Sequence, residues 1–419
     1  MITILKTGRK RDSERFVAGM LAAVPPCGET RDVAHRFGGH VPLRTKRLLV
    51  GVTLALAAAT VAGIVLLRPT GERRPNLEGL GFVSEVYGAE VIGVEDVPCE
   101  GQPGADVICR RIAFAIDEGP DAGGTAAQEF VQTPSTPDLA QGDRVLLARD
   151  PRAPPEFRYR FVDRDRGTLL FWLAVAFGAA VVALGRFRGL AALAGLAVSI
   201  GVLLWFVLPA VLDGRNPLAV AVVGSAAIAF LALYLSHGFT TMTTVALLGT
   251  LGALALTAAL ASVVVELARL SGFASEEAVV VQIGASRIDL AGIILGGVVI
   301  GALGAIDDIT VTQASAVWEL RAANPRTSRR SLAAAGLRIG RDHVASTVNT
   351  LALAYAGASM PVLLLLVLSR QPLTSVVSGE VLATEVLRTL VGSIGLVAAV
   401  PLTTWLAAAA APASARPVG

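Results

Sequence analysis

Two adjacent carboxylates, Asp307 and Asp308, stand in the stretch GAIDDITVTQ (304–313), directly after a glycine-rich apolar run. Thr310, Thr312 and Gln313 follow them. Neighbouring carboxylates repel each other when both are ionised, so the pair favours a shared proton or a bound cation. At membrane depth, groups of this kind usually mark the path of an ion or proton.

The spacing around the pair is helical. Gly297, Gly301, Gly304, Asp308, Thr312, Ser315 and Glu319 are separated by steps of three or four, so all share one face of a continuous helix. The glycine half of that face lets another backbone come close, and GxxxG spacing links Gly297 with Gly301. A second segment, 328–361, offers a partner face through His343, Thr347, Thr350, Ala354 and Gly357, with Asn349 and Tyr355 beside it. The expected site therefore joins Asp308, Asp307 and Thr312 to Asn349, Thr350 and Tyr355, with Gly297, Gly301, Gly304 and Gly357 packing the helices. Two readings stay open. The charge-free window from Leu290 to Ile306 spans about 26 Å at helical rise, which puts the carboxylates near an interface, in water or paired with Arg341. The absence of charge from there on to Glu319 allows them to lie deeper.

These groups need elements to hold them. Of 419 residues, 53% are hydrophobic and only 16% charged, too little charge to cover a soluble protein of this length. Apolar runs long enough to cross about 30 Å of hydrocarbon occupy 48–67, 168–185, 189–212, 217–236, 244–265, 288–310, 346–369 and 383–410. The first 47 residues hold ten Lys/Arg against four Asp/Glu and read as a disordered basic tail rather than a cleaved leader. Between the first two runs, 68–167 is polar and turn-rich, with five or six short strand-like runs that predict a small β-barrel or sandwich. Residues 70–167 carry 18 acidic and 11 basic side chains.

Lysines and arginines near span ends set orientation. Arg44, Lys46 and Arg47 put the N-terminus in the cytoplasm, and the acidic β-domain outside. The loop with Arg186 and Arg188 then falls inside. So does the loop that carries Arg326, Arg329, Arg330 and Arg341. Eight spans return the C-terminal tail, 411–419, to the cytoplasm. Outside, Cys99 and Cys109 meet an oxidising compartment, where a disulfide would staple the small domain.

No Cys-x-x-Cys occurs, and His35, His40, His237 and His343 are scattered, so no metal site is expected. No phosphate-binding loop, zinc-protease or serine-hydrolase motif is present. No catalytic residue, cofactor or nucleic-acid partner is assigned, and an enzyme is not expected.

Taken in order, GALGAIDDITVTQASAVWEL (301–320), SLAAAGLRIGRDHVASTVNTLALAYAGASMP (331–361) and the upstream LPAVLDGRNPLAV (208–220), LSHGFTTMTTVALLGTLGAL (235–254) and LARLSGFASEEA (267–278) resemble the YibE/F family of bacterial integral membrane proteins. The resemblance covers most of 168–410. It implies a multi-pass, permease-like core of seven helices behind an outer β-domain. Asp308 matches the family's aspartate, whereas many members carry methionine where this chain has Asp307. Gly340, Arg341 and Asp342, and then Asn349 and Thr350, match further family runs. Family members often occur as more than one gene product, which implies a second membrane subunit or a homo-oligomer.

The resulting expectation is an α-helical polytopic membrane protein of about eight transmembrane helices with a small extracytoplasmic β-rich domain. It sits in a bacterial inner membrane, its partner is the lipid bilayer, and it acts as a transporter with an Asp-centred cation or proton site. The alternative is a non-transporting scaffold or envelope sensor that works through the β-domain.

Overall fold

The computed structural model describes residues 41–71, 85–99, 108–134, 136–273, 276–284, 288–368 and 372–412. The disorder expected of 1–47 concerns residues outside them up to position 40, whereas 43–47 already belong to the first helix.

Helix α1 (Leu43–Leu67) is apolar all round and mostly exposed, as a helix bathed in lipid is. A β-domain follows. Its strands are β1 (Glu85–Pro98), β2 (Ile108–Ile116), β3 (Thr125–Val131), β4 (Arg144–Arg149) and β5 (Tyr159–Arg164). They form one antiparallel sheet in the order β3-β2-β1-β4-β5. The long β1 pairs with β2 and β4 and bulges between Val91 and Gly93, which bends it. The sheet curls until its edges meet, where the Phe161 amide of β5 donates to Gln128 Oε1 of β3 at 2.8 Å. Val91, Ile112, Phe114, Val145 and Leu147 fill the interior. The burial of β2 alternates along the strand, as a half-buried strand requires. Cys99 and Cys109 are disulfide-bonded, with Cα atoms 4.9 Å apart.

The rest is helical. It comprises α2 (Gly167–Val202), α3 (Leu208–Leu212), α4 (Pro217–His237), α5 (Thr241–Leu267), α6 (Glu276–Gly284), α7 (Leu290–Ala323), α8 (Arg329–Ala358), α9 (Met360–Leu368), α10 (Leu373–Ser378) and α11 (Glu380–Ala410). The long helices start where short polar side chains cap them. Asn216, Thr240, Asp289 and Ser328 each accept a backbone N–H from the first turn of α4, α5, α7 and α8. Helix α7 is central. Its Val299, Ala302, Leu303, Ile306 and Ile309 share one core with Ile228 and Leu233 of α4, Leu247 and Leu254 of α5, and Leu396 and Val400 of α11.

Among the described residues six helices are long and apolar enough to cross a membrane, against the eight spans read from the sequence. Two departures explain the difference. The segment Gly167–Leu212 counts once by length, yet Arg186 breaks it with φ 50° and ψ −128°. Past the break the chain doubles back. Leu193 lies 3.8 Å from where a Cβ on Gly178 would stand, although an unbroken helix would hold these residues about 22 Å apart. Gly189 passes so close to the Val181 carbonyl that a side chain there would collide with it. The segment is thus a helical hairpin with two apolar arms. The second departure concerns 346–369. That run is divided between the C-terminal half of α8 and the separate α9, and α8 as a whole is too polar to count.

The stretch 331–340 forms the first turns of α8, with Leu332, Ala333, Gly336 and Gly340 buried in the bundle. Its small residues are a packing face.

On the side where α1 ends, Asp213 fastens the connecting chain to the bundle. Its Oδ2 accepts from the Thr70 and Gly71 amides at 2.5 and 3.0 Å and from Thr70 Oγ1 at 3.2 Å. These donors, the Gly71 amide foremost, hold its carboxyl below the usual carboxylate range. On the same side Glu380, the first residue of α11, accepts from Ser271 and Gly272 after α5.

Candidate functional site

Depth along α5 locates the two carboxylates. Thr250 stands nine residues after Thr241, so about 14 Å into a helix of about 40 Å. Thr250 Oγ1 lies 3.5 Å from Asp307 Oδ1 and 2.7 Å from Thr310 Oγ1, and Thr310 Oγ1 donates to the Asp307 carbonyl at 3.0 Å. Asp307 therefore sits well inside the bundle, half-buried between α7 and α5.

Asp308 points elsewhere, as the ~100° step between neighbours on a helix requires. It is exposed on the α7 surface, and neither it nor Arg341 forms an ion pair among the described residues. One turn on, Thr312 lines a cavity of about 710 Å³ together with Arg188, Ser236, His237, Ser315 and Glu319. Thr312, Ser315 and Glu319 of the α7 stripe thus open into a cleft of mixed polarity between α7, the end of α4 and the turn of the α2 hairpin, one turn along from Asp308.

The second helix does not complete this site in the expected way. Asn349 and Thr350 are exposed, and the Thr350 hydroxyl donates to the Ser346 carbonyl of its own helix at 3.0 Å. They are not brought to Asp308, because α8 turns Val348 and Leu351 inward instead. Threonines of α5 and α7 supply the neutral oxygens next to the carboxylates. Tyr355 does meet α7, with its hydroxyl against Gly301 where only a glycine leaves room. Gly297 faces Arg388. Gly304 and Gly357 pack against nothing, since no atom stands within 4 Å of where their Cβ would be. Close helix contacts are made elsewhere, by Gly336 and Gly340 of α8 and by Gly249 of α5.

Two clusters were missed from the sequence. Gln313, 2% exposed, donates from Nε2 to the Gly336 carbonyl at 2.8 Å and to Thr404 Oγ1 at 2.7 Å, locking α7, α8 and α11 together. Its polarity inside a packed face was a usable signal. At the other end of the stripe, Arg388 of α11 pairs with Glu385 at 2.6 Å and lies over the Tyr355 ring, 6.0 Å from its centroid. An arginine and a glutamate three residues apart at the head of an apolar run were that cluster's signal.

The basic loop is short. Arg321 is buried and closes the α7–α8 turn, donating to the carbonyls of Pro325 and Thr327 at 3.2 and 2.6 Å. Arg326, Arg329, Arg330 and Arg341 are exposed. Among the described residues no group of three or more His, Cys, Asp or Glu is placed to hold a metal ion.

The family model described as YibE/F-like protein matches residues 173–413, more than half of the chain. No curated protein and no solved structure matches.

Proposed function

Because this chain belongs to the YibE/F family, whose matched region is the helical bundle, we propose that it is a permease that passes a proton or small cation by way of Asp307 and Asp308. One observation carries the reading. Two adjacent carboxylates lie about 14 Å into the bundle, one held by threonines and the other exposed one turn along from the cleft. Ionisable groups at such depth are costly and usually functional. In the proposed arrangement α1, the two arms of the α2 hairpin, α4, α5, α7, α8 and α11 make eight crossings of a bacterial inner membrane. Both termini and the cleft face the cytoplasm, and the β-domain lies outside. Asp307 holds the proton or cation, Asp308 exchanges it with the cleft, and Thr250 and Thr310 supply neutral ligands. A second membrane subunit or a second copy covers the exposed polar residues of α8.

The test is flux in liposomes that contain the purified protein, followed by internal pH and by cation-sensitive dyes. We expect Asp308→Asn and Asp307→Asn each to lower the flux at least about tenfold, a barrier change of about 1.4 kcal/mol, with the fold retained. Equal flux in all three proteins would remove the carboxylates from the path.

A second reading, an envelope sensor, draws on the Asp213 clamp, which ties the chain entering the β-domain to the bundle. It expects deletion of the β-domain to abolish function and Asp308→Asn to spare it.

A further inference from the structure

Arg388 is an unusual residue to find beside the core helix of a membrane bundle, and its surroundings are specific. Glu385 occupies only Nη1. Nε is buried without a hydrogen-bond partner. Nη2 and Nε lie 3.7 and 3.9 Å from where a Cβ on Gly297 would stand, so this edge packs against the α7 backbone. Arg388 also lines a cavity of about 330 Å³, with apolar walls from Leu290, Ile293, Ile294 and Val381. Thr384 also lines it, 8% exposed, and its Oγ1 has no hydrogen-bond partner among the described residues.

We infer that this cavity binds a small monocarboxylate with an apolar tail, the carboxylate pairing with the Arg388 guanidinium. The inference rests on the permease reading and adds a substrate class to it. A guanidinium holds a carboxylate through charge-assisted N–H···O bonds, and the Thr384 hydroxyl supplies a further donor. The aliphatic walls receive the tail. The volume is at the low end of the roughly 300–1,000 Å³ of ligand pockets, which favours a short-chain acid. Glu385 disfavours phosphate and dicarboxylates, whose second charge would face it. Arg388 and Glu385 together are neutral, so a bound carboxylate leaves one negative charge, and a proton or cation at the aspartate pair offsets it. The chemistry of the two sites is that of a symporter.

The test measures binding, not flux. Full-length protein in detergent is titrated with sodium hexanoate, by calorimetry and thermal shift, against sodium chloride and hexylammonium chloride as controls. We expect saturable binding of hexanoate alone. It should weaken at least tenfold in Arg388→Gln and in Ile293→Trp, a cavity-filling variant that leaves the ion pair intact, and by a smaller factor in Thr384→Val. Absent binding, equal binding of hexylammonium, or unchanged affinity in a folded Ile293→Trp protein would overturn the inference. If hexanoate fails to bind while proton or cation flux persists and depends on Asp308, only this inference falls. If hexanoate binds but no variant of the aspartates changes any flux, the permease reading falls and the site stands as a sensory one.

Discussion

The β-domain and the helical bundle treat charge in opposite ways. On the β-domain nearly every strand carries charged pairs across its ladder. Arg111 meets Glu129 at 2.5 Å, Arg110 meets Asp96 at 3.2 Å and Arg149 meets Glu85 at 3.7 Å. Such exposed pairs are cheap to form and individually worth little. In the bundle, polar contacts run instead through threonine, glutamine and backbone, and the ion pair within its helices, among the described residues, is Arg388–Glu385. An unpaired carboxylate is costly there. That is why Asp308 is informative, whereas Asp138 at the barrel rim, which meets Arg110 at 3.7 Å, is not.

Packing sharpens the contrast most. The bundle is held by close backbone approach, so a side chain at Gly336 has nowhere to go. A Cβ there would lie 2.9 Å from Val317 and 3.0 Å from Thr404, beside the carbonyl that Gln313 holds. Gly336→Leu should cost about 3 kcal/mol by overpacking and loss of that hydrogen bond. The expected result is a collapse of monodisperse protein on size exclusion in detergent. A stable, monodisperse Leu variant would mean that α8 is not packed as described.

The β-domain should break through a covalent bond instead. The disulfide closes a loop with a sequence separation of 10, worth about 2.5 kcal/mol on the chain-entropy account. Cys99→Ser with Cys109→Ser should lower the first melting transition while leaving the helical one in place. A single transition that shifts as a whole would instead make the two regions one cooperative unit. Flux measured in the same variant separates the two functional readings, since the permease should keep working and the sensor should not.

Much of this was legible from spacing. The stripe from Gly297 to Glu319 lies on the continuous helix α7, as its steps of three and four require. The alternation in ICRRIAFAI is the burial pattern of β2. What spacing does not carry is which helix stands opposite a face. Asn349 and Thr350 have the right chemistry for Asp308, but Thr250 holds the place beside the carboxylates because α5, not the polar side of α8, packs there. In SLAAAGLRIG it is Leu332, Ala333 and the two glycines that the bundle uses, and spacing alone does not say what they face. Arg388 was hidden by averaging, because two charges at the head of a long apolar run barely alter its hydropathy. The doubling back at Arg186 needs a positive φ on a non-glycine residue, which residue type does not announce.

The smallest expected effect lies in the β-domain and tests how its surface charges work. Asp121 Oδ2 accepts from the Tyr159 hydroxyl at 2.7 Å and from Arg149 Nε at 2.9 Å. The tyrosine hydrogen bond first, then the arginine, hold its carboxyl below the usual range. A carboxyl that is more acidic in the folded state stabilises the fold above its unfolded value near pH 4, and that share is lost as pH falls through the lowered folded value. Asp121→Asn should therefore melt slightly below the wild type at neutral pH, with the gap closing as both proteins are acidified past that point. A gap of constant width would assign the loss to packing around Tyr159 and not to charge. The same titration on the bundle transition should show no difference between the two proteins, because Asp121 contacts only β-domain residues. A change there would show that acid loosening of the barrel reaches the helices through a junction such as the Thr70–Asp213 clamp or the Asp163–Arg166 pair before α2, where a carboxylate is itself held below its usual range.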